Sequence, residues 1–212
     1  MAELADKLAG KFIVIDGPDG AGKSTQVKLL AGDLRGRGLT VCEVRDPGGT
    51  AIGERVRQIL LDVGHHGMAT TTETMLFMAS RAQLVAEVIG PALRRGECVV
   101  GDRFISSTVA YQGAGGMDSS AVRAVGQIAV GGLWPDLTVI LDLPAEQGFE
   151  RLREARDRME SKDAAFHREV RRLFLAQAAE DPDRFAVVDA TGSVEAVHRR
   201  VQGVVHGWKW KH

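Results

Sequence analysis

Residues 17–25 read GPDGAGKST and directly follow an apolar run, Phe12–Asp16. The stretch from Gly17 to Ser24 matches the pattern G-x-x-x-x-G-K-[ST]. In this pattern the glycines allow backbone N–H groups to turn towards phosphate oxygens, and the following helix adds the positive end of its dipole. Lys23 is expected to reach the β- and γ-phosphates, and Ser24 to join the shell of a Mg²⁺ ion. The segment therefore predicts a nucleoside triphosphate site.

Two further polar stretches also follow apolar runs. They are RDPGGT at residues 45–50 and GDRFISSTVAYQG at residues 101–113. Open α/β sheets bind ligands at the carboxyl ends of their strands, where both stretches begin. Asp102 is placed to approach Mg²⁺ or its waters, and the planar guanidinium of Arg103 suits a phosphate. Alone these stretches could be a turn and a surface ion pair, but beside the phosphate loop they indicate a second anionic site.

A helical segment carries an aromatic ring and a guanidinium that could read a nucleobase. Phe77 and Arg81 are four residues apart and therefore share one helix face. A ring can stack on a base, and a guanidinium can hydrogen-bond the edge of the base. The alternative is a core phenylalanine beside an exposed arginine. Together with the other motifs, the pair suggests a second nucleotide-shaped pocket.

The elements that must position these residues alternate along the chain. Nearly continuous apolar runs are typical of strands buried on both faces of a parallel sheet, and helical periodicities separate them. We therefore predict an α/β fold of three layers, with a five-stranded parallel sheet and one domain over residues 1–212. The predicted strands are Phe12–Asp16, Thr40–Val44, Cys98–Gly101, Thr138–Leu143 and Phe185–Asp189.

Helical stripes fill the intervals between the strands. The segment from about 75 to 94 predicts one long helix, which Pro91 is expected to disturb. The first ten residues are expected to form a flexible extension. The other predicted helices cover about 27–34, 52–63, 166–177 and 194–205.

Composition limits the partners and the location. The chain has 212 residues and a net charge of −1, so no overall basic field favours nucleic acid as the main partner. No apolar stretch is expected to span a membrane, and the amino terminus lacks a hydrophobic signal core. Cys42 and Cys98 lie in apolar runs and are interpreted as buried thiols. We therefore expect a cytoplasmic protein.

At this point the sequence resembles the thymidylate kinase family over nearly its whole length. The resemblance depends on GPDGAGKST, RDPGGT, FMASRAQ, GDRFISSTVAYQG, ARDRME and FAVVDATGS, in that order. The pair PGGT and DRF…S…AYQG is more specific than the phosphate loop. The resemblance implies a P-loop NTPase fold with a mobile lid, ATP and dTMP as substrates, Mg²⁺ as cofactor, and a homodimer.

The resemblance also implies a role for individual residues. Lys23, Arg103, Arg153 and Asp19 are expected to be catalytic, and Ser24 and Asp102 to organise the metal. The residues expected to bind ATP are Gly17, Pro18, Asp19, Gly20, Ala21, Gly22, Lys23, Ser24 and Thr25. The residues expected to bind dTMP are Asp19, Pro47, Phe77, Arg81, Arg103, Ser107, Thr108 and Tyr111.

Position 20 raises a question about the positive charge at the transferred phosphoryl group. Some members of the family carry an arginine in the phosphate loop, whereas others have glycine there and supply the arginine from the lid. This chain has Gly20, and its lid is expected over residues 144–163, with Arg153 as the catalytic arginine, Arg156 as the alternative, and Arg158 bracing the lid. The lid is about two residues shorter than usual. Asp46 stands where the family usually has glutamate, which leaves its contact with the acceptor open.

Other functions fit these motifs less well. A GTPase switch usually needs an N-K-x-D stretch, and this sequence contains no asparagine. An ATP-dependent nucleic-acid-binding module would be expected to carry a long basic stripe. A deoxynucleoside kinase would need a general base at an acceptor hydroxyl, whereas the second set of arginines favours an acceptor that already carries a phosphate. That kinase, or another pyrimidine nucleoside monophosphate kinase, remains the alternative.

Overall fold

The structure, a computed structural model, describes residues 2–151, 158–160 and 162–210. Their five strands are β1 Phe12–Asp16, β2 Val41–Arg45, β3 Cys98–Asp102, β4 Leu137–Asp142 and β5 Phe185–Asp189. These strands form one parallel sheet in the order β2-β3-β1-β4-β5. The prediction of five parallel strands in an α/β fold is confirmed, and the predicted strand bounds differ by one residue at most.

Ten α-helices lie within the described residues. They are α1 Ala2–Leu8, α2 Lys23–Gly36, α3 Ala51–Leu61, α4 Thr70–Leu84, α5 Gly90–Arg94, α6 Ile105–Ala114, α7 Ser119–Val130, α8 Ala145–Arg151, α9 Ala164–Glu180 and α10 Val194–Gly207.

The alternation of side chains along the strands produces the three layers. Ile13 and Ile15 of β1 face one core, which α2 and α10 cover, whereas Phe12 and Val14 face the other core, which α4 to α7 cover. Because successive side chains of a strand point to opposite faces, a strand that is apolar at every position must be covered on both sides. The sheet is therefore the middle layer.

Strand register brings the polar residues of three chain segments to one edge. Ile15 pairs with Asp102 across β1 and β3, and Arg45 pairs with Asp102 across β2 and β3. The parallel strands end together, so the loops after β1, β2 and β3 leave the sheet side by side. This edge is where the sequence motifs predict the two anionic sites.

The amino-terminal segment, residues 1–10, was predicted to be a flexible extension, and most of it is helical. Residues 2–8 form α1, and the side chain of Leu8 is fully buried in the core beside α2. Leu4, Ala5 and Leu8 recur at helical spacing and pack on this core, so the sequence does carry a short apolar stripe for the helix.

The long helical segment contains the expected disturbance. A π-helical stretch, Val85–Ile89, separates α4 from α5 immediately before Pro91. Proline has no N–H to donate to the preceding turn, and a wider turn accommodates its ring. By length and composition, residues 70–94 would suffice to cross a membrane, contrary to the prediction that no stretch does. In this fold, however, α4 packs against α3 and α7.

Candidate active site

The phosphate-loop segment lies between β1 and α2, as its pattern requires. Lys23 is the first residue of α2, and its ammonium group lies over the loop, 3.0 Å from the carbonyl oxygen of Gly17 and 2.7 Å from that of Pro18. The helix amino terminus and this buried ammonium converge on the same space. Such an arrangement favours an anionic ligand.

Gly20 answers the question of why the loop carries no arginine. It has a φ of +76°, and a Cβ there would lie 2.5 Å from the carbonyl oxygen of Gly148 in α8. In turn, a Cβ on Gly148 would lie 2.5 Å from the carbonyl oxygen of Asp19. Two glycines therefore allow the loop and α8 to meet backbone to backbone. No side chain fits at position 20 without displacing α8.

Asp19 of the phosphate loop lies between two positively charged side chains. The buried Asp19 carboxylate pairs with Arg103 and lies 3.8 Å from the Lys23 ammonium. Burial acts to raise the pKa of Asp19, but the positive charges of Arg103 and Lys23 outweigh it and lower this pKa to about 2. Burial, together with the charge of Arg103, lowers the pKa of Lys23 to about 8. Asp19 therefore links the phosphate loop to the loop after β3.

The backbone of Arg103 adopts an uncommon conformation that aims its side chain. Its φ is +67°, in the left-handed region that costs a non-glycine residue about 1 kcal/mol. The Arg103 N–H donates to the carbonyl of Ile15, and its guanidinium donates to the hydroxyl of Ser107 at 3.0 Å. The guanidinium also lies over the ring of Tyr111, 5.2 Å from the centroid. Backbone and side-chain contacts together fix this cation in the site.

The carboxylate of Asp16, which the sequence analysis did not identify, holds the phosphate loop and α6 together. Asp16, fully buried at the end of β1, accepts hydrogen bonds from the Gly17 N–H at 2.9 Å and from the hydroxyls of Ser106 at 2.5 Å and Ser107 at 2.7 Å. It therefore joins the start of the phosphate loop to α6. Its position at a strand end was the only signal in the sequence.

Ser24 and Asp102 come together as the sequence predicts for a metal site. The Ser24 hydroxyl donates to the Asp102 carboxylate, which joins the first turn of α2 to the end of β3. Mg²⁺ prefers oxygen ligands, and it usually takes one or two carboxylates from the protein and the rest of its shell from phosphates and water. These two oxygen donors beside the phosphate loop suit that ion.

One cavity of about 380 Å³ contains most of the predicted site. Gly17, Pro18 and Ala21 do not line it, and Ala21 is buried in the core beside α2. Arg153 lies outside the described residues. The predicted residues that line the cavity are Asp19, Gly20, Gly22, Lys23, Ser24, Thr25, Pro47, Phe77, Arg81, Asp102, Arg103, Ser107, Thr108 and Tyr111.

Arg81 is buried, whereas Phe77 is only partly buried, which reverses the alternative considered for this pair. The Arg81 Nε donates to Asp46 at 2.6 Å, and its Nη2 donates to the carbonyl of Phe104 and the hydroxyl of Thr108 at 3.1 and 3.0 Å. Asp46, the residue that replaces the usual glutamate, therefore holds Arg81. Burial raises the pKa of Asp46 in spite of this partner.

We expect Arg81→Met to lower the free energy of unfolding by about 3–5 kcal/mol at pH 7, because it leaves the Asp46 carboxylate buried without its cation. Without Arg81 the pKa of the buried Asp46 should lie above its value in the unfolded chain. The loss of stability should therefore be full above the raised pKa of Asp46 in the folded variant. It should shrink as the pH falls from there towards the pKa of the unfolded chain, because Asp46 is then protonated in the folded protein. Urea unfolding at pH 7 and pH 5 measures both effects. The double variant Asp46→Asn/Arg81→Met is the control and should recover part of the loss; equal losses in single and double variants would contradict the argument.

Several residues that line the cavity were not predicted. Gln112 lies one turn after Thr108 on α6, and its side-chain oxygen is buried with no hydrogen-bond partner among the described residues. Helical spacing from Thr108 could have identified it. Arg57 and Leu61 have no recognisable signal in the sequence. The other unpredicted lining residues belong to stretches that carry the family resemblance: Arg45 and Asp46 to RDPGGT, and Met159 and Glu160 to ARDRME.

Comparison with known proteins agrees with this geometry. Residues 15–201 match the family model described as Thymidylate kinase. The chain is 44% identical to a thymidylate kinase of Alcanivorax borkumensis over 93% of this chain and 97% of that protein. It is 46% identical to one of Thermomicrobium roseum over 92% and 93% of the two chains. A crystal structure of thymidylate kinase from Ehrlichia chaffeensis superposes with a TM-score of 0.75 at 32% identity, covering 92% of this chain and 98% of the other.

The family match and the fold are consistent with each other. The model covers the phosphate loop, both stretches of the second anionic site and the last strand, and the sheet is that of a P-loop NTPase. These relatives leave the alternative of a deoxynucleoside kinase without support. The chain belongs to the thymidylate kinase family, and it is an ATP-dependent kinase that phosphorylates dTMP in dTTP synthesis.

Proposed function

We propose that ATP occupies the Lys23 end of the cavity and dTMP the Arg81 end, so that the γ-phosphoryl group passes between them beside Asp19. The observation that carries this proposal is the chain of contacts from Lys23 through Asp19 to Arg103. In our proposal Lys23 is the cation for the donor phosphates and Arg103 the cation for the acceptor phosphate, on either side of the Asp19 carboxylate. In-line transfer needs both nucleotides to be held in this way, with the charge between them neutralised.

The acceptor phosphate binds Arg103, in our proposal, with Arg57 as a second cation at the cavity wall. Arg103 presents a planar fork that suits a phosphate, and its contacts with Ser107 and Tyr111 limit its motion. Arg57 lines the same cavity and donates to the carbonyl of Pro47 at 3.1 Å. Two cations at this end support an acceptor that already carries a phosphate.

The base of dTMP stacks on Phe77, the partly buried aromatic side chain of the cavity wall, in our proposal. Arg81 hydrogen-bonds the edge of the base, while Tyr111 packs against the deoxyribose. The hydroxyls of Ser107 and Thr108 act through the arginines, since each accepts a hydrogen bond from one of them.

Ser24 and Asp102 would hold Mg²⁺, Ser24 directly and Asp102 through water. Their oxygen donors lie together beside the phosphate loop, which supports this assignment. The ion would draw charge from the β- and γ-phosphates during transfer. Lys23 and the loop N–H groups would orient the triphosphate from the other side.

We further propose that residues 144–163 act as a mobile lid that supplies the catalytic arginine, Arg153. Support comes from the arginines that are described. Arg151 donates to the carbonyls of Gly20 and Ala190 at 3.3 Å each, and Arg158 is buried in contact with Glu73. Arg151 therefore contacts the phosphate loop and Arg158 contacts α4, one on each side of residues 152–157.

The acceptor assignment is tested by ADP release from ATP with Mg²⁺ and dTMP, dUMP, dCMP, UMP or thymidine. We expect turnover with dTMP to exceed that with the other nucleotides, and thymidine to be inert because it offers no phosphate to Arg103. Arg103→Met should then weaken dTMP binding and leave thymidine inert. Turnover of thymidine would overturn the acceptor end of the proposal and leave the ATP end intact.

Two coarser proposals concern assembly and location. Ile52 and Ile59 lie on one face of α3 and are 52% and 44% exposed, and Met75 at the start of α4 is 48% exposed. These apolar side chains support a homodimer that packs helix against helix, which sedimentation equilibrium tests.

Both cysteines are free thiols, which supports a cytoplasmic location.

A further inference from the structure

Two polar contacts join α4 to α6 at the wall of the acceptor cavity. Arg81 donates to the Thr108 hydroxyl at 3.0 Å, and Gln112 donates to the Glu73 carboxylate at 2.6 Å. Glu73, Phe77 and Arg81 recur every four residues on one face of α4. Thr108 and Gln112 do the same on α6. Phe77, the proposed stacking ring, therefore lies between the two contacts.

The chemistry of Glu73 decides how the Gln112 amide is turned. An ionised carboxylate accepts hydrogen bonds and donates none, so the group of Gln112 that faces Glu73 must be its NH₂. The amide oxygen is then directed elsewhere. Gln112 lines the cavity, is 1% exposed, and its Oε1 has no partner among the described residues. A buried acceptor without a partner is costly, and a ligand that donates to it removes that cost.

Glu73 is itself held in place on its other side. Its second oxygen pairs with Arg158, whose Nε donates to the carbonyl of Leu60 at 2.9 Å. Glu73 and Arg158 are both nearly inaccessible to solvent. The pairing with Arg158 fixes the position of the Glu73 carboxylate, and hence the orientation of Gln112.

The wall therefore offers a donor beside an acceptor. Arg81 has only N–H groups to offer, and Gln112 presents an oxygen. A pyrimidine with a carbonyl at C4 and a protonated N3 is complementary to this order. Cytosine carries an amino group and a bare nitrogen at those positions, so both of its contacts would be mismatched.

We propose that Glu73 is a specificity-determining positioning residue: it fixes the Gln112 amide so that Oε1 accepts the N3–H of a 4-oxo pyrimidine. This inference rests on the proposed function, since it assumes that the acceptor base lies against Phe77. Glu73 does not touch the base. It acts through Gln112, and Arg158 holds its carboxylate in place.

The test is the binding of dUMP and dCMP to the whole protein by isothermal titration calorimetry. In Glu73→Gln the new amide can donate as well as accept, so Gln112 is free to turn its NH₂ to the base. We expect dUMP to bind more weakly and dCMP more tightly, and the dUMP-over-dCMP preference to fall about tenfold. A general loss of structure would weaken both alike. An unchanged preference in a folded variant would overturn the proposal.

Two further variants complete the design. Gln112→Met removes the acceptor without altering Glu73 or Arg158, and we expect a similar loss of preference; if it retains the preference, the proposal is wrong even should Glu73→Gln fail to fold. In the Gln112→Met background, Glu73→Gln should cause no additional change in the preference. A wild-type protein without preference for dUMP over dCMP would instead contradict the proposed orientation of the base.

Discussion

Lys23→Met is expected to lower kcat/KM for ATP by about 10³-fold while the fold persists. The ammonium of Lys23 is almost completely buried over the phosphate loop and is the cation nearest the proposed position of the β- and γ-phosphates. Methionine has a similar length and no charge, so the variant isolates the electrostatic contribution. Steady-state assays with saturating dTMP give the rate, and thermal unfolding shows that the protein is folded.

The same lysine should give the reaction a pH dependence. Burial and the charge of Arg103 lower its pKa to about 8, against the opposing charges of Asp19, Asp102 and Asp16. The pH dependence of kcat/KM reports the free enzyme, so this constant should fall as the pH rises through about 8 and Lys23 loses its proton. Bound phosphates favour the charged lysine, so kcat should begin to fall only at a higher pH than kcat/KM does.

Lys23→Arg is the matched variant for both effects, because a guanidinium stays protonated over this range. This variant should be slower than wild type, but its kcat/KM should no longer fall near pH 8. Unaltered kcat/KM in Lys23→Met would reject the assignment of the loop. A fall near pH 8 that persists in Lys23→Arg would assign the titration to another group.

Local pattern predicted those parts of the fold and site that depend on residues near one another in sequence. The five strands follow from apolar runs, and the phosphate loop from fixed spacing between β1 and α2. In contrast, α6 was not predicted. It is buried from Ile105 to Gln112, so it has no polar face and hence no amphipathic period. Its Ser106, Ser107 and Thr108 also favour turns and caps when seen alone.

The supporting contacts of the site could not be predicted because they join distant segments. The sequence leaves the contact of Asp46 with the acceptor open, and only packing reveals that Asp46 pairs with Arg81. Likewise, the pairing of Glu73 with both Gln112 and Arg158 depends on how α4, α6 and residues 158–160 meet. The backbone of Arg103 is held in its left-handed conformation by the same kind of tertiary contact. Sequence spacing indicates which groups are expected to do chemistry, whereas the fold determines which groups hold them.

Arg153→Ala is expected to lower kcat by about 10³-fold or more and to change the Kd for dTMP little. Beyond Lys23, the phosphate loop cannot supply an arginine to the transferred phosphoryl group, since the backbone of Gly148 fills the space that a side chain at Gly20 would need. In our proposal the lid segment supplies it. Arg151 and Arg158 already donate to backbone carbonyls of the fold, which favours an arginine between them. Such a cation acts chiefly on the charge that develops during transfer.

Single-turnover kinetics separate this effect from product release, and calorimetric titration of dTMP measures the affinity. Arg156→Ala is the matched control, because it removes the same charge from the same segment and should cost far less in kcat. If Arg156→Ala shows the large loss and Arg153→Ala does not, the assignment of Arg153 is wrong and the shorter lid has shifted the helical phase. If neither variant loses rate, the lid supplies no catalytic arginine, and Lys23 and Arg103 must neutralise the transferred group alone.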